Sequence, residues 1–105
     1  MNDKRLSFLG IARRAGKLSL GFDAATDSMI SGKCKLLLLA SDLSERTTRT
    51  VLRTAQQTQT RTIVSDITMN DLGCAIGKQT GIVAVTDKGF ADKLKTLFNE
   101  QRQEE

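Results

Sequence analysis

Lys35-Leu36-Leu37-Leu38-Leu39-Ala40-Ser41-Asp42 sets four consecutive leucines between a lysine and a Ser-Asp turn. The run is too short for an ordinary helix, and with no polar interruption it has no face to offer water. It therefore reads as a strand buried on both faces, in the middle of a sheet. Such a strand needs a layer above it and another below, and the flanking sequence supplies helices for both. Upstream, Phe22, Ala25, Met29 and Ile30 recur at helical spacing between Gly21 and Gly32. Before them Phe8, Ile11, Ala12 and Ala15 fall at i, i+3, i+4 and i+7, the stripe of a first helix that stops at Gly16, with Lys17-Leu18-Ser19-Leu20 extended in between. Downstream, Ser44 is placed to cap a helix with inner positions Thr48, Val51, Leu52 and Ala55, and Thr62-Ile63-Val64 follows as a strand. Thr68-Met69-Asn70-Asp71 has capping-box spacing ahead of Leu72, Ala75 and Ile76. Gly81 to Thr86 reads as another buried strand, Phe90, Leu94, Leu97 and Phe98 stripe the last helix, and the tail from Gln101 to Glu105 is expected to fray. Helices alternating with short apolar strands predict an α/β fold in three layers, around a small, largely parallel or mixed sheet.

At 105 residues the chain is expected to form a single domain over 1–105, ordered from about residue 3 to 99, because two cores would each bury too little surface. Hydrophobic residues make up 39% and charged residues 27%, a globular balance that argues against disorder. No apolar run has the length of a bilayer span, and the start Met1-Asn2-Asp3-Lys4-Arg5 does not lead into a signal segment, so a cytoplasmic location is expected. Cys34 and Cys74, far apart and without neighbouring ligands, read as reduced, buried small hydrophobes. The chain has no His, Tyr or Trp, which removes the commonest general base, the Ser-His and Cys-His nucleophilic schemes and the usual zinc sites. No catalytic residue, cofactor, metal or small-molecule substrate is expected, and the chain does not read as an enzyme.

The net charge of +4 is uneven: residues 1–61 carry eleven Lys/Arg against five Asp/Glu, and residues 62–105 carry five against seven. A basic half suits contact with a polyanion, and equally a solvated surface kept for solubility. Four glycine-centred turns stand out: Gly16-Lys17, Gly21-Phe22-Asp23, Gly32-Lys33 and Gly77-Lys78-Gln79-Thr80-Gly81. A glycine admits close backbone approach, free helix N–H groups bind anions, and lysine adds charge, so these turns can contact phosphates; each can also simply cap a helix. None matches a phosphate loop or a dinucleotide fingerprint. Arg13, Arg14 and Lys17 form the densest basic cluster, available to phosphates or to solvent. Arg46, Arg49 and Arg53 make a second ridge, with Glu45 able to pair with Arg49, which solubility explains adequately. Only four aromatic residues are present, all Phe, and three fit core stripes, so recognition by base stacking is not expected.

Several segments together resemble the kink-turn-binding ribosomal protein family, L-seven-Ae and L-thirty-e-like, and within it the short bacterial YlxQ branch. They are Leu9-Gly10-Ile11-Ala12-Arg13-Arg14-Ala15-Gly16-Lys17, Gly21, Ser31-Gly32-Lys33, Lys35 to Asp42, Leu72-Gly73-Cys74-Ala75-Ile76-Gly77, and Val83-Ala84-Val85-Thr86-Asp87-Lys88-Gly89-Phe90. The resemblance covers roughly residues 4–98 and implies an α/β/α sandwich on a four-stranded mixed sheet. It also implies RNA binding, with ribosomal RNA as the leading partner and the ribosome or its assembly proteins as further ones. The implied contacts are the helix start at Gly21, Phe22 and Asp23 and the loop Gly77, Lys78, Gln79, Thr80 and Gly81, joined by Gly16 and Lys17, with Arg13, Arg14 and Lys33 on phosphates. The family's helix start is G-x-N-E with a lysine three residues on; here those positions hold Asp23, Ala24 and Asp27. Asp cannot donate the hydrogen bonds of an Asn amide, and Asp27 reverses a charge. The alternative expectation is therefore a protein-interaction module on the same scaffold, with reduced or altered RNA specificity.

Overall fold

A computed structural model of the protein describes residues 3–103. The chain runs α1 (Lys4–Arg14), β1 (Leu18–Leu20), α2 (Phe22–Ile30), β2 (Leu36–Leu39), α3 (Glu45–Gln57), β3 (Thr62–Val64), α4 (Met69–Ile76), β4 (Ile82–Val85) and α5 (Lys88–Gln103). The strands form one sheet in the order β1-β4-β2-β3. β4 is antiparallel to both β1 and β2, and β2 is parallel to β3, so the sheet is mixed and four-stranded as expected.

The four leucines of β2 are fully buried and divide between two cores, because successive side chains of a strand leave opposite faces. Leu36 and Leu38 join Val83 and Val85 beneath Leu9 of α1, Leu72 and Ile76 of α4, and Ala91, Leu94 and Phe98 of α5. Leu37 and Leu39 join Ile82 and Ala84 beneath Ala25 and Met29 of α2 and Val51 and Ala55 of α3. Three helices on one face and two on the other make the three layers. Helix starts follow the capping chemistry read from the sequence: Ser44 accepts a hydrogen bond from Thr47 N at 3.2 Å, and Thr68 accepts one from Asp71 N at 3.1 Å. No helix of the described residues is long and apolar enough to cross a membrane.

The structure corrects several expectations. α1 starts at Lys4, capped by the side chain of Asp3, and its buried side is Arg5, Leu9, Gly10 and Ala12. Ile11, expected inward, is 46% exposed, and Ala15 is exposed too. A periodicity that counts only apolar residues misses the Arg5-Leu9-Ala12 row, because its first member is charged. In α2, Phe22 and Ile30 lie outward, with Ile30 68% exposed, since the helix needs only Ala25 and Met29 to cover its strip of sheet. Cys34 is buried, and burial pushes its thiol pKa up, whereas Cys74 is exposed on the outer side of α4. α5 is helical as far as Gln103, so Gln101 to Gln103, expected to fray, continue the helix; the rest of the expected tail, residues 104 and 105, lies outside the described residues.

Candidate nucleic-acid interface

Strand direction sorts every connection to one end of the sheet or the other. β1, β2 and β3 all finish at the edge where β4 begins: Leu20 pairs toward Val83, and Leu39 pairs with Ile82 on one side and Val64 on the other. The helices that follow these strands, α2, α3 and α4, therefore all start at this end, and their partial positive charge is gathered there. The loop from α4 to β4 arrives at the same place. Gly21 N donates to Ile82 O at 2.9 Å, and Ala40 N donates to Gly81 O at 2.9 Å, so the Gly21 turn and the Gly77–Gly81 loop are stitched to adjacent residues of one strand. Asp42 closes the arrangement from the third connection by accepting from Met69 N at 2.8 Å, which fixes the start of α4.

Gly21 has φ +90° and ψ 172°, a conformation open to glycine and costly for any residue with a Cβ, and it is the N-cap of α2 with no side-chain cap hydrogen bond. The first N–H groups of α2 are thus left for an acceptor from outside the helix. Phe22 and Asp23 stand exposed beside them. Across the end, α4 stops at Gly77, and the loop folds back along the helix until Gln79 lies against Gly73, where a Cβ would sit 3.0 Å from Gln79 Cα. Gly77, Lys78 and Gln79 are exposed and line a shallow groove with Asn70, Gly73 and Cys74. Thr80 turns inward: its hydroxyl donates to Ile82 O at 3.0 Å and accepts from Ile82 N at 3.3 Å. Gly81 is buried, and an added Cβ would fall 2.8 Å from Leu43 Cδ1 and 2.9 Å from Met69 Sδ.

The remaining expected contacts lie elsewhere. Lys17 O accepts from Thr86 N at 2.9 Å, and Lys35 N donates to Val85 O at 2.7 Å, which places Gly16, Lys17 and the turn holding Lys33 at the opposite end of β4. A four-residue strand separates the two ends by about 10–13 Å. Arg13 and Arg14 occupy the last turn of α1, on the way to that far end. Arg14 folds back over α1, its Nη1 3.8 Å from the position a Cβ on Gly10 would take, and lines a groove with Ile11 and with Asp71, Cys74 and Ala75 of α4. Cys74 belongs to this groove and to the one beside Lys78, so Arg14 and Lys78 flank a single surface of α4. Sequence reasoning missed Asn70 and Cys74, which carry no spacing signal and join the surface only because the loop doubles back. Among the described residues no group of three or more His, Cys, Asp or Glu is placed to hold a metal ion.

A model of the "Ribosomal protein L7Ae/L30e/S12e/Gadd45 family" matches residues 3–95. The "RNA-binding protein YlxQ" of Bacillus subtilis (strain 168) is 33% identical over 99 residues, with 87% of this chain and 91% of that protein covered. The "Large ribosomal subunit protein eL30" of Eremothecium gossypii is 31% identical over 91 residues, covering 85% and 87%. A solved structure of a Bacillus halodurans C protein of unknown function superposes with a TM-score of 0.87 at 32% identity, covering 93% of this chain and 99% of that one. The Giardia lamblia 15.5kD RNA binding protein shares the fold, with a TM-score of 0.75 at 14% identity and coverage of 95% and 89%.

Proposed function

Because this chain belongs to the ribosomal protein L7Ae/L30e/S12e/Gadd45 family, we propose that it binds structured RNA as a ribosomal or ribosome-associated protein of the cytoplasm and catalyses no reaction on it. The observation that carries this reading is the hydrogen bond from Gly21 N to Ile82 O, which sets the uncapped start of α2 beside the Gly77–Gly81 loop at one end of the sheet. A rigid pair of backbone-rich turns, with few aromatic side chains, suits recognition of an RNA by its shape and phosphates. Within it, Gly21, Phe22 and Asp23 approach from one side, and Gly77, Lys78 and Gln79 from the other, with Lys78 and Arg14 on phosphates. Thr80 and Gly81 act from beneath, holding the loop against Ile82, Leu43 and Met69. Gly16, Lys17, Arg13 and Lys33 serve as a more distant basic margin.

The RNA feature proposed for this end is a kink-turn, and Asp23, Ala24 and Asp27 bear on how tightly it is read. Binding of the protein to a kink-turn RNA and to a matched straight duplex across a salt series is the test. A preference for the kinked RNA that persists at higher salt is expected; equal, salt-sensitive binding to both removes the shape-specific part of the reading. A protein-interaction role on the same scaffold draws on the exposed Phe22 and Ile30 beside Asp23 and Asp27 of α2. A partner recovered in a form that survives nuclease treatment is the result that favours it.

A further inference from the structure

α2 and α3 lie side by side on one face of the sheet, and both start at the loop end and run away from it. Their outward charges are opposite. α2 spans Phe22–Ile30 and carries Asp23 and Asp27, both exposed, with no basic residue. α3 carries Arg46, Arg49 and Arg53, all exposed and at 3- and 4-residue spacing, against a single acid, Glu45. Arg49 Nη2 pairs with Glu45 at 3.1 Å, while Arg46 and Arg53 make no ion pair among the described residues. None of the three reaches across to Asp23 or Asp27 within ion-pair distance, so the row is not consumed in neutralising its neighbour.

We propose that the arginine row Arg46-Arg49-Arg53 is a second RNA-backbone surface, which takes over on α3 the phosphate attraction that Asp23 and Asp27 deny to α2. The proposal rests on the RNA-binding reading above. An RNA that is engaged at the loop end and continues past it runs along one flank of the protein, and the α2–α3 face is such a flank. On this face the carboxylates of α2 repel phosphates and the guanidiniums of α3 attract them. The row starts in the first turn of α3, beside Leu43 and Gly81 of the loop end, and extends about 10 Å away from it, the length of seven helical residues. That all three cations are arginines suits a phosphate track, because the planar guanidinium offers paired donors to phosphate oxygens where lysine offers a point charge.

The test compares the wild-type chain with the double variant Arg46→Gln/Arg53→Gln, using a kinked duplex RNA with stems on both sides and following Kd across a salt series. A second double variant, Lys4→Gln/Lys93→Gln, removes the same charge from the α1–α5 flank, where both lysines border a groove with Phe8 and Leu97. The α3 variant is expected to bind roughly tenfold more weakly at low salt and to lose about two from the salt slope, one for each phosphate contact. Arg46→Lys/Arg53→Lys is expected to keep that slope, and the Lys4/Lys93 variant to stay close to wild type. An unchanged melting temperature shows that the exposed glutamines leave the fold intact. If the α3 variant binds as wild type does, the row is not an RNA surface, and an acidic protein partner becomes its better reading, with the RNA assignment of the loop end untouched. Equal losses from both double variants reduce the effect to net charge and overturn the proposal. No binding by the wild-type chain removes this proposal and the RNA reading together.

Discussion

Arg5 takes a permanent charge into the buried side of α1, where it is 5% exposed. Its Nη2 meets Asp3 Oδ2 at 2.7 Å, its Nη1 meets Asp66 Oδ1 at 2.6 Å, and its guanidinium carbon lies 4.8 Å from the centre of the Phe98 ring. One residue thus joins the N-cap of α1, the connection after β3 and the end of α5, and replacing it by Ala leaves a void and two carboxylates without their partner. Arg5→Ala is expected to cost about 3 kcal/mol, read from urea denaturation. The Arg5 hydrogen bonds hold Asp3 and Asp66 below the ordinary carboxylate value in the folded state. Their contribution is complete above the unfolded value of about 3.9 and is lost as pH falls through the lowered folded values. A melting curve recorded from pH 6 downward should decline more steeply for wild type than for Arg5→Ala. At Gly21 the constraint is backbone strain: φ +90° with ψ 172° predicts that Gly21→Ala destabilises the fold by about 1–3 kcal/mol. The glycine was visible in the sequence as a helix opener, whereas the role of Arg5 was not, because a lone arginine two residues after an aspartate looks like any solvated start of a helix.

The elements themselves were largely legible. The four helices expected from stripes and caps between residues 8 and 77 and the last one from Phe90 onward all form, and each strand falls where a short apolar or β-branched run stood. Ends signalled by local chemistry held best: Ser44 and Thr68 each accept the hydrogen bond their position implied, and Thr68→Ala should cost about 1 kcal/mol in thermal unfolding. Faces were harder. α1 packs between α4 and α5, so its buried side is centred on Leu9, and Ile11 is left outside. Cys74 shows the same problem on α4: an apolar-sized residue two positions from both Leu72 and Ile76 of the buried stripe faces solvent. Periodicity identifies a helix from its own residues, but which neighbour covers which side is decided by the other helices.

Across the whole molecule, burial and function divide along different axes. The central strand carries the stability: Leu38→Ala is expected to cost about 2–5 kcal/mol, while Val64→Ala, on the edge strand and 53% exposed, should stay within about 0.5 kcal/mol, both by denaturant titration. The expected RNA-contact residues, written as one group along the chain, separate between the two ends of β4. Lys78→Ala is therefore expected to lower the salt slope of RNA binding by about one, and Lys17→Ala to lower it less, in the same binding assay. The sequence by itself determined the α/β class, the strand Leu36–Leu39, the glycine turns and the uneven charge, because burial on both faces, capping and helix termination are written in residues a few positions apart. Only the tertiary structure decided which turns meet. Gly21 and Gly81 are sixty residues apart in the chain and come together because β1 and β4 pair antiparallel, whereas Gly16 and Gly21, five residues apart, are driven to opposite ends by the strand between them.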